Sequence, residues 1–243
     1  MRVKLANQVF ALNTLWVILT LTAFAILINL SWWQLSRAAE KTEQLARLAQ
    51  LQAEGAVTPA QLTQLVVTDI DGVPLKGQGS WLAPYVWLLD NQIVNGRVGY
   101  DVIVPVQAVG MTRPLLVNLG WLAGADSRDI LPQLDIASEF ALDGLLRTKV
   151  DGLILLGQNA EDHGQWPMRI QQIDYAELAQ QSGLELYPAL LYQQHASAFT
   201  PHYQPVVLSP EKHRGYALQW FLLAVAVVGV ALAASHQGKA KHE

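Results

Sequence analysis

The chain of 243 residues contains no cysteine. Disulfides, thiolate metal sites and covalently attached c-type haem are therefore excluded. Charge is also scarce. Only 15% of residues are Asp, Glu, Lys or Arg, the formal net charge is −4, and no Lys/Arg-rich tract or aromatic-basic stripe occurs. That distribution offers nucleic acid no footprint. There is no phosphate loop, dinucleotide fingerprint, H-E-x-x-H or G-x-S-x-G, so the common enzyme signatures are missing too. No repeat or low-complexity tract interrupts the sequence.

What the chain has in excess is apolar surface. Hydrophobic residues make up 51%, and much of that total lies in two end runs. Residues 9–30 are interrupted only by Asn13, Asn29 and threonines, and residues 216–234 carry no charged side chain. Each run is long enough to cross a bilayer as a helix. The expected organisation is a cytoplasmic N-terminus (1–8), a first span (9–30), a periplasmic domain with a juxtamembrane helix (31–209), a second span with an interfacial start (210–234) and a cytoplasmic tail (235–243). Roughly 175 residues between the runs suffice for one domain with its own core.

Arg2 and Lys4 precede the first run as they would in a signal peptide. Its apolar stretch is longer than a usual h-region, however, and no small-x-small site follows at LSWWQLSRA, which points to an uncleaved signal anchor. Trp32 and Trp33 suit the aromatic belt at one helix, and Trp220 with Tyr216 at the other. Positive charges are nearly balanced on the two sides of the spans. A loop this long translocates largely regardless of charge, so signal-anchor logic puts both termini in the cytoplasm.

After the first span, SRAAEKTEQLARLAQLQAEG is rich in helix formers, pairs Glu43 with Arg47 at i,i+4 and stops at Gly55. A helix continuing beyond the membrane is expected, with Leu45, Leu48 and Leu51 packing on the domain. Short β-type runs follow: QLVVTDI, YVWLLD, GRVGYDVIVPVQ, RPLLVNLGWL, FALDGLLR, LILLG, WPMRIQQ, LYPALLY and YQPVVL. Turn residues punctuate them, as in NQIVNG and VDG. The expectation is a mainly antiparallel β domain of α+β class, a barrel or sandwich, between two transmembrane helices. One helix interrupts it, started by the capping-box-like Asp174-x-x-Glu177 and stopped by Gly183.

Candidate chemistry is sparse. Asp162–His163, and Asp101 beside Tyr100, are more simply read as solvated loop groups than as a catalytic set. His195 and His202, seven apart, read as surface histidines in preference to a metal pair. The sharpest local signal opens the second span: Ser209 suits an N-cap, Pro210 the first helical position and Glu211 the positive end of the dipole. His213 then lies in the first turn and shares a helix face with Tyr216/Ala217 and Trp220. The dipole end, Lys212 and Arg214 all disfavour the imidazolium form. A neutral imidazole binds haem iron, and neighbouring cations suit its propionates. The plainer reading is an interfacial histidine satisfied by headgroups and water.

Several blocks resemble the surfeit-locus protein 1 (Surf/Shy) family. WWQLSRAAEK resembles its W-Q-L-x-R-x-x-x-K signature. RVGYDVIVPVQ and RPLLVNLGWLAG are similar to its G-Y-x-V-x-x-P and V-N-R-G-W blocks. DHGQWPMRIQQIDYAELAQQSGLELYPALLY resembles a family segment running from a tryptophan to a proline, and KHRGYALQWFLLA its closing H-x-x-Y-A-x-Q-W-F motif. The blocks occur in order over nearly the whole chain. Leu119 departs from them, standing where the family usually has arginine.

The resemblance implies a cytochrome c oxidase assembly factor of the bacterial inner membrane, non-enzymatic, aiding delivery of haem a to oxidase subunit I. It implies as partners subunit I, the haem a synthesis proteins and the lipid bilayer. Its motif histidine, the proposed haem ligand, maps to His213, with Lys212, Arg214, Tyr216, Gln219 and Trp220 as neighbours. Two alternatives stand beside it: a scaffold that stabilises oxidase subunits without haem, and a membrane-anchored hydrolase.

Overall fold

The structure, a computed structural model, describes residues 2–5, 8–11, 13–125, 130–148, 159–161, 164–195 and 197–239. In chain order its elements are β1 (Arg2–Leu5), β2 (Gln8–Ala11), α1 (Thr14–Glu54), α2 (Pro59–Leu62), β3 (Pro74–Trp81), β4 (Trp87–Val94), β5 (Arg97–Ala108), β6 (Leu115–Ala123), β7 (Glu139–Arg147), β8 (Ala160–Glu161), β9 (Met168–Ile170), α3 (Tyr175–Ser182), β10 (Tyr187–Gln193), α4 (Pro210–Ser235) and β11 (His236–Lys239). They form two compact units, one of Met1–Arg47 with Val206–Glu243, the other of Leu48–Pro205.

The first unit holds the apolar helices, and both are long and apolar enough to cross a membrane. α1 starts where Asn13 caps it: the Asn13 Oδ1 accepts from the Leu15 N–H at 2.9 Å and its C=O from the Val17 N–H at 3.0 Å. The helix therefore begins at Thr14, and residues 9–11 lie in β2. Its 41 residues make a rod of about 60 Å, twice a hydrocarbon thickness of roughly 30 Å. The apolar first half suffices to span, and the polar second half is the juxtamembrane continuation. It ends at Gly55, whose φ of +96° suits glycine. β11 pairs with β2, His236 opposite Phe10, so the start of α1 and the end of α4 lie side by side.

The second unit is a five-stranded barrel with an extension. Hydrogen bonding runs β3–β7–β10–β6–β5, and β3 pairs back onto β5 to close the circle. From β5 the sheet continues outward through β4, β9 and β8. Period-2 alternation divides the strands between two cores. Val102, Val104 and Val106 of β5, with Leu115 and Val117 of β6, fill the barrel interior. Ile103, Leu116 and Leu190 point outward, onto Trp87, Ile170 and the α3 residue Leu178. β5 is thus buried on both faces, which is why its sequence reads as an almost unbroken apolar run.

Local expectations met several different outcomes. α3 is capped by Asp174, whose Oδ1 accepts from the Ala176 and Glu177 N–H groups, and ends at Gly183 in the left-handed region. The box is only half made, because the Glu177 carboxylate accepts from the Asn159 Nδ2–H at 2.8 Å. QLVVTDI is no strand: Val67–Asp69 is a 3-10 turn, its β-branched residues finding no sheet partner. YQPVVL is also irregular; Tyr203 stacks on Tyr192 at 4.0 Å, and Val207 is exposed. LILLG lies outside the described residues. NQIV belongs to β4, leaving Asn95–Gly96, both at positive φ, as the two-residue turn to β5. Among the described strands two pairings are parallel, β10 with β6 and β4 with β9. On the continuing helix, Leu51 packs on the barrel core and Leu48 is half-buried, whereas Leu45 is exposed.

Besides the terminal strands β1, β2 and β11 and the two-residue β8, two elements of the second unit were not anticipated. β3, PLKGQGSW, has little β propensity, and pairing on both edges makes it a strand. Gly79 is required there, since a Cβ would stand 2.4 Å from the Val106 Cγ1. α2 is short but carries a full capping box, Thr58 with Gln61, and Pro59 at its first position.

Candidate functional site

α4 begins as its sequence dictates. Ser209 is extended, its Oγ accepts from the Lys212 N–H at 3.5 Å, and Pro210 occupies the first helical position. Four residues into this start, His213 turns toward α1. Along α4 the covered positions His213, Ala217, Trp220, Ala224 and Val227 recur at steps of three and four, and along α1 so do Leu27, Ser31, Gln34 and Ala38. This is the seam of two antiparallel helices. Ala217, Ala224, Ser31 and Ala38 are its most buried members apart from His213, and small residues of this kind allow close backbone approach.

Among the described residues, three side-chain hydrogen bonds join α1 and α4. The Ser31 Oγ–H donates to the Ala217 C=O at 2.9 Å and fixes the register. One turn nearer the start of α4, the His213 Nδ1–H donates to the Gln34 Oε1 at 2.7 Å. The ring is 7% exposed. Among the described residues it has no other recorded hydrogen-bond partner, so in the neutral ring Nε2 keeps its lone pair. Farther along α1, the Arg214 Nη2–H reaches the Thr42 Oγ at 3.5 Å.

The other expected residues fall into two groups. Trp220 lies on the seam with His213, half-buried. Lys212, Arg214, Tyr216 and Gln219 are exposed, with Tyr216 at 43% and on a different side of the helix. The two cations thus flank the ring from outside the seam, where they are accessible to an anionic group.

The donor set has a definite chemical character. Among the described residues no group of three or more His, Asp or Glu side chains is placed to hold a metal ion. A single imidazole, held through Nδ1 and flanked by exposed cations, would suit one axial bond to an iron already held by a porphyrin. A shallow groove lined by Leu21, Ala25, Asn29 and Trp33 lies on the opposite side of α1 from Gln34 and is unrelated to the ring.

The remaining candidates go elsewhere. Asp101 is buried at 2%; it accepts from the Asn118 Nδ2–H at 2.7 Å and meets the His202 Nε2 at 2.5 Å. That hydrogen bond and the Asp101 charge raise the His202 pKa, against a smaller opposing effect of burial. His195 faces another carboxylate, Asp143, at 3.6 Å, so the two histidines do not share a site. Asp162 and His163 lie outside the described residues. Sequence reasoning missed the Asp101–His202 contact, and its only signal was an acidic residue amid the apolar run of β5. It missed Gln34 as well, although Gln34 stands inside the first quoted block.

The interior blocks prove to be architectural. Gly120 at the β5–β6 bulge, and Gly99 farther back along β5, make room for backbone: a Cβ would come within 2.2 Å of the Leu122 O at Gly99 and 2.8 Å of Thr200 at Gly120. The Asn118 Oδ1 accepts from the Gly120 N–H at 2.9 Å. Leu119 is the bulged residue, buried in the barrel core. Trp166 makes edge-on contacts with Tyr85 and Trp87. The first and last blocks are what meet at the helix seam.

The model of one protein family, the SURF1 family, matches residues 21–225. Among curated proteins no match was found.

Proposed function

The chain belongs to the SURF1 family of cytochrome oxidase assembly factors, and from that premise we propose that it aids delivery of haem a to oxidase subunit I at the periplasmic face of the bacterial inner membrane. The observation that carries this reading is the buried contact of His213 with Gln34, which holds one ring nitrogen and leaves the other with its lone pair. Haem iron, when bound, accepts such a nitrogen as an axial ligand. His213 would supply that bond, and Lys212 and Arg214 would pair with the propionates. The haem a synthesis proteins would act upstream and subunit I downstream.

Proteins of this family serve assembly, not catalysis. Placement of the domain in the periplasm is part of the proposal; both helices are apolar enough to span, and the start of α1 and the end of α4, the ends nearest the termini, are joined through one sheet.

A second reading has its own support. His213 is buried by helix packing, and a ring so placed would also staple α1 to α4 in a haem-free scaffold. Co-expression with haem a synthesis enzymes, followed by pyridine haemochrome analysis, separates the two. Haem in the wild type and its loss in His213→Ala support delivery. Haem-free protein that still co-isolates with subunit I supports the scaffold.

A further inference from the structure

We infer that Gln34 is the positioning residue of His213: its side-chain oxygen holds the imidazole in the Nδ1–H tautomer and so makes Nε2 the ring's coordinating atom. The inference rests on the haem-ligand reading and adds to it the residue that sets tautomer and orientation.

The geometry gives three reasons. First, the Oε1–Nδ1 distance of 2.7 Å is that of a well-formed hydrogen bond, and an amide oxygen can only accept. Second, helix seams do not need a polar residue at this position. Ala38 and Leu27 occupy equivalent positions on α1 as apolar packing, whereas a covered glutamine loses hydration unless paired. Third, the pair is held in register from a neighbouring turn. The Ser31 hydroxyl donates to the Ala217 C=O and so fixes α4 against α1 beside the turn where Gln34 meets His213. An imidazole ligand whose second nitrogen donates to an oxygen is a more basic ligand with a fixed ring plane.

The test uses the full chain in lipid nanodiscs with 15N-labelled histidine, and His213→Ala to assign the signal. The wild type should show His213 as Nδ1–H. Gln34→Leu, which fills the same space without an acceptor, should lose that pattern to one dominated by Nε2–H, and Gln34→Glu should keep it. In parallel, haem a binding is titrated. Gln34→Leu should weaken it by about tenfold or more. Gln34→Glu should restore occupancy and lower the haem reduction potential relative to wild type.

A wild-type ring protonated at Nε2, or a tautomer unmoved by Gln34→Leu, overturns the inference even if His213 proves to be the ligand. Wild type that binds no haem, with a tautomer that still follows residue 34, ends the haem reading and leaves the hold of Gln34 on the ring standing.

Discussion

Replacing Gly120 by alanine tests how the last stretch before α4 is fastened to the barrel. Gly120 has φ of +121°, and a Cβ there would lie 2.8 Å from both the C and the O of Thr200 and 3.1 Å from the Pro201 N. Those neighbours are backbone atoms, so no side-chain rotation relieves the overlap. Thr200 is also bonded to Trp121 in both directions, at 2.8 and 2.9 Å, so moving it breaks a paired contact. Strain at positive φ costs roughly 1–3 kcal/mol and forced overpacking a similar amount, about 4 kcal/mol together. For a domain of this size each kcal/mol lowers Tm by about 2–4 °C, which gives about 8–16 °C. Gly183→Ala is the internal control. Its φ is +69° but open space surrounds it, so only strain is paid, about 1 kcal/mol. Thermal unfolding of the full chain in detergent, followed by near-ultraviolet circular dichroism, measures both. If the two variants melt within about 2 °C of each other, the close approach of Thr200 to Gly120 is wrong.

Two further outcomes are expected. The folded pKa of His202 is raised, so its bond to Asp101 stabilises fully below the unfolded value near 6.5 and fades as pH rises through the folded value. His202→Gln should remove that decline from stability measured above about pH 6.5, and an unchanged slope would refute the linkage. Alkaline phosphatase fused after Gly164 should be active and the same enzyme fused after Lys239 inactive; the opposite pattern would invert the proposed topology.

What could be read from the sequence was whatever is decided locally. The apolar runs, the Ser209–Pro210 start, the Asp174 cap and the Gly183 stop each depend on a few adjacent residues, and the structure keeps them. β3 was illegible because its glycines are required by Pro59 and Val106, which are distant in sequence. QLVVTDI misled for the converse reason: β-branched residues favour strands only where a partner edge exists. The α2 capping box was a local signal, and reading T-P-A-Q as S/T-x-x-Q with proline at the first position would have found it. At the site, His213 stood out on the sequence alone. Its partner did not, because Gln34 is 179 residues away and only the pairing of the two helices joins them.

The division of the motif blocks predicts two kinds of damage. Gly99, Asn118, Gly120 and Trp121 have their polar groups engaged within the barrel or make room for its backbone, and none leaves a reactive atom unused. Substitutions there should act through folding, lowering abundance and Tm together and recovering at reduced growth temperature. Gln34 and His213 lie in the other unit, outside the barrel cores. Gln34→Leu and His213→Ala should therefore leave the barrel Tm within about 2 °C of wild type while impairing oxidase assembly at every growth temperature. Because the two sets lie in different units, the double variant Gly120→Ala/His213→Ala should show the Tm of the first change alone. Oxidase activity in membranes and the Tm of purified protein, measured on wild type and each of these variants, decide the matter. If His213→Ala lowers Tm as far as Gly120→Ala does, the histidine is a structural staple of the whole chain, and the assembly defect follows from instability instead of lost chemistry.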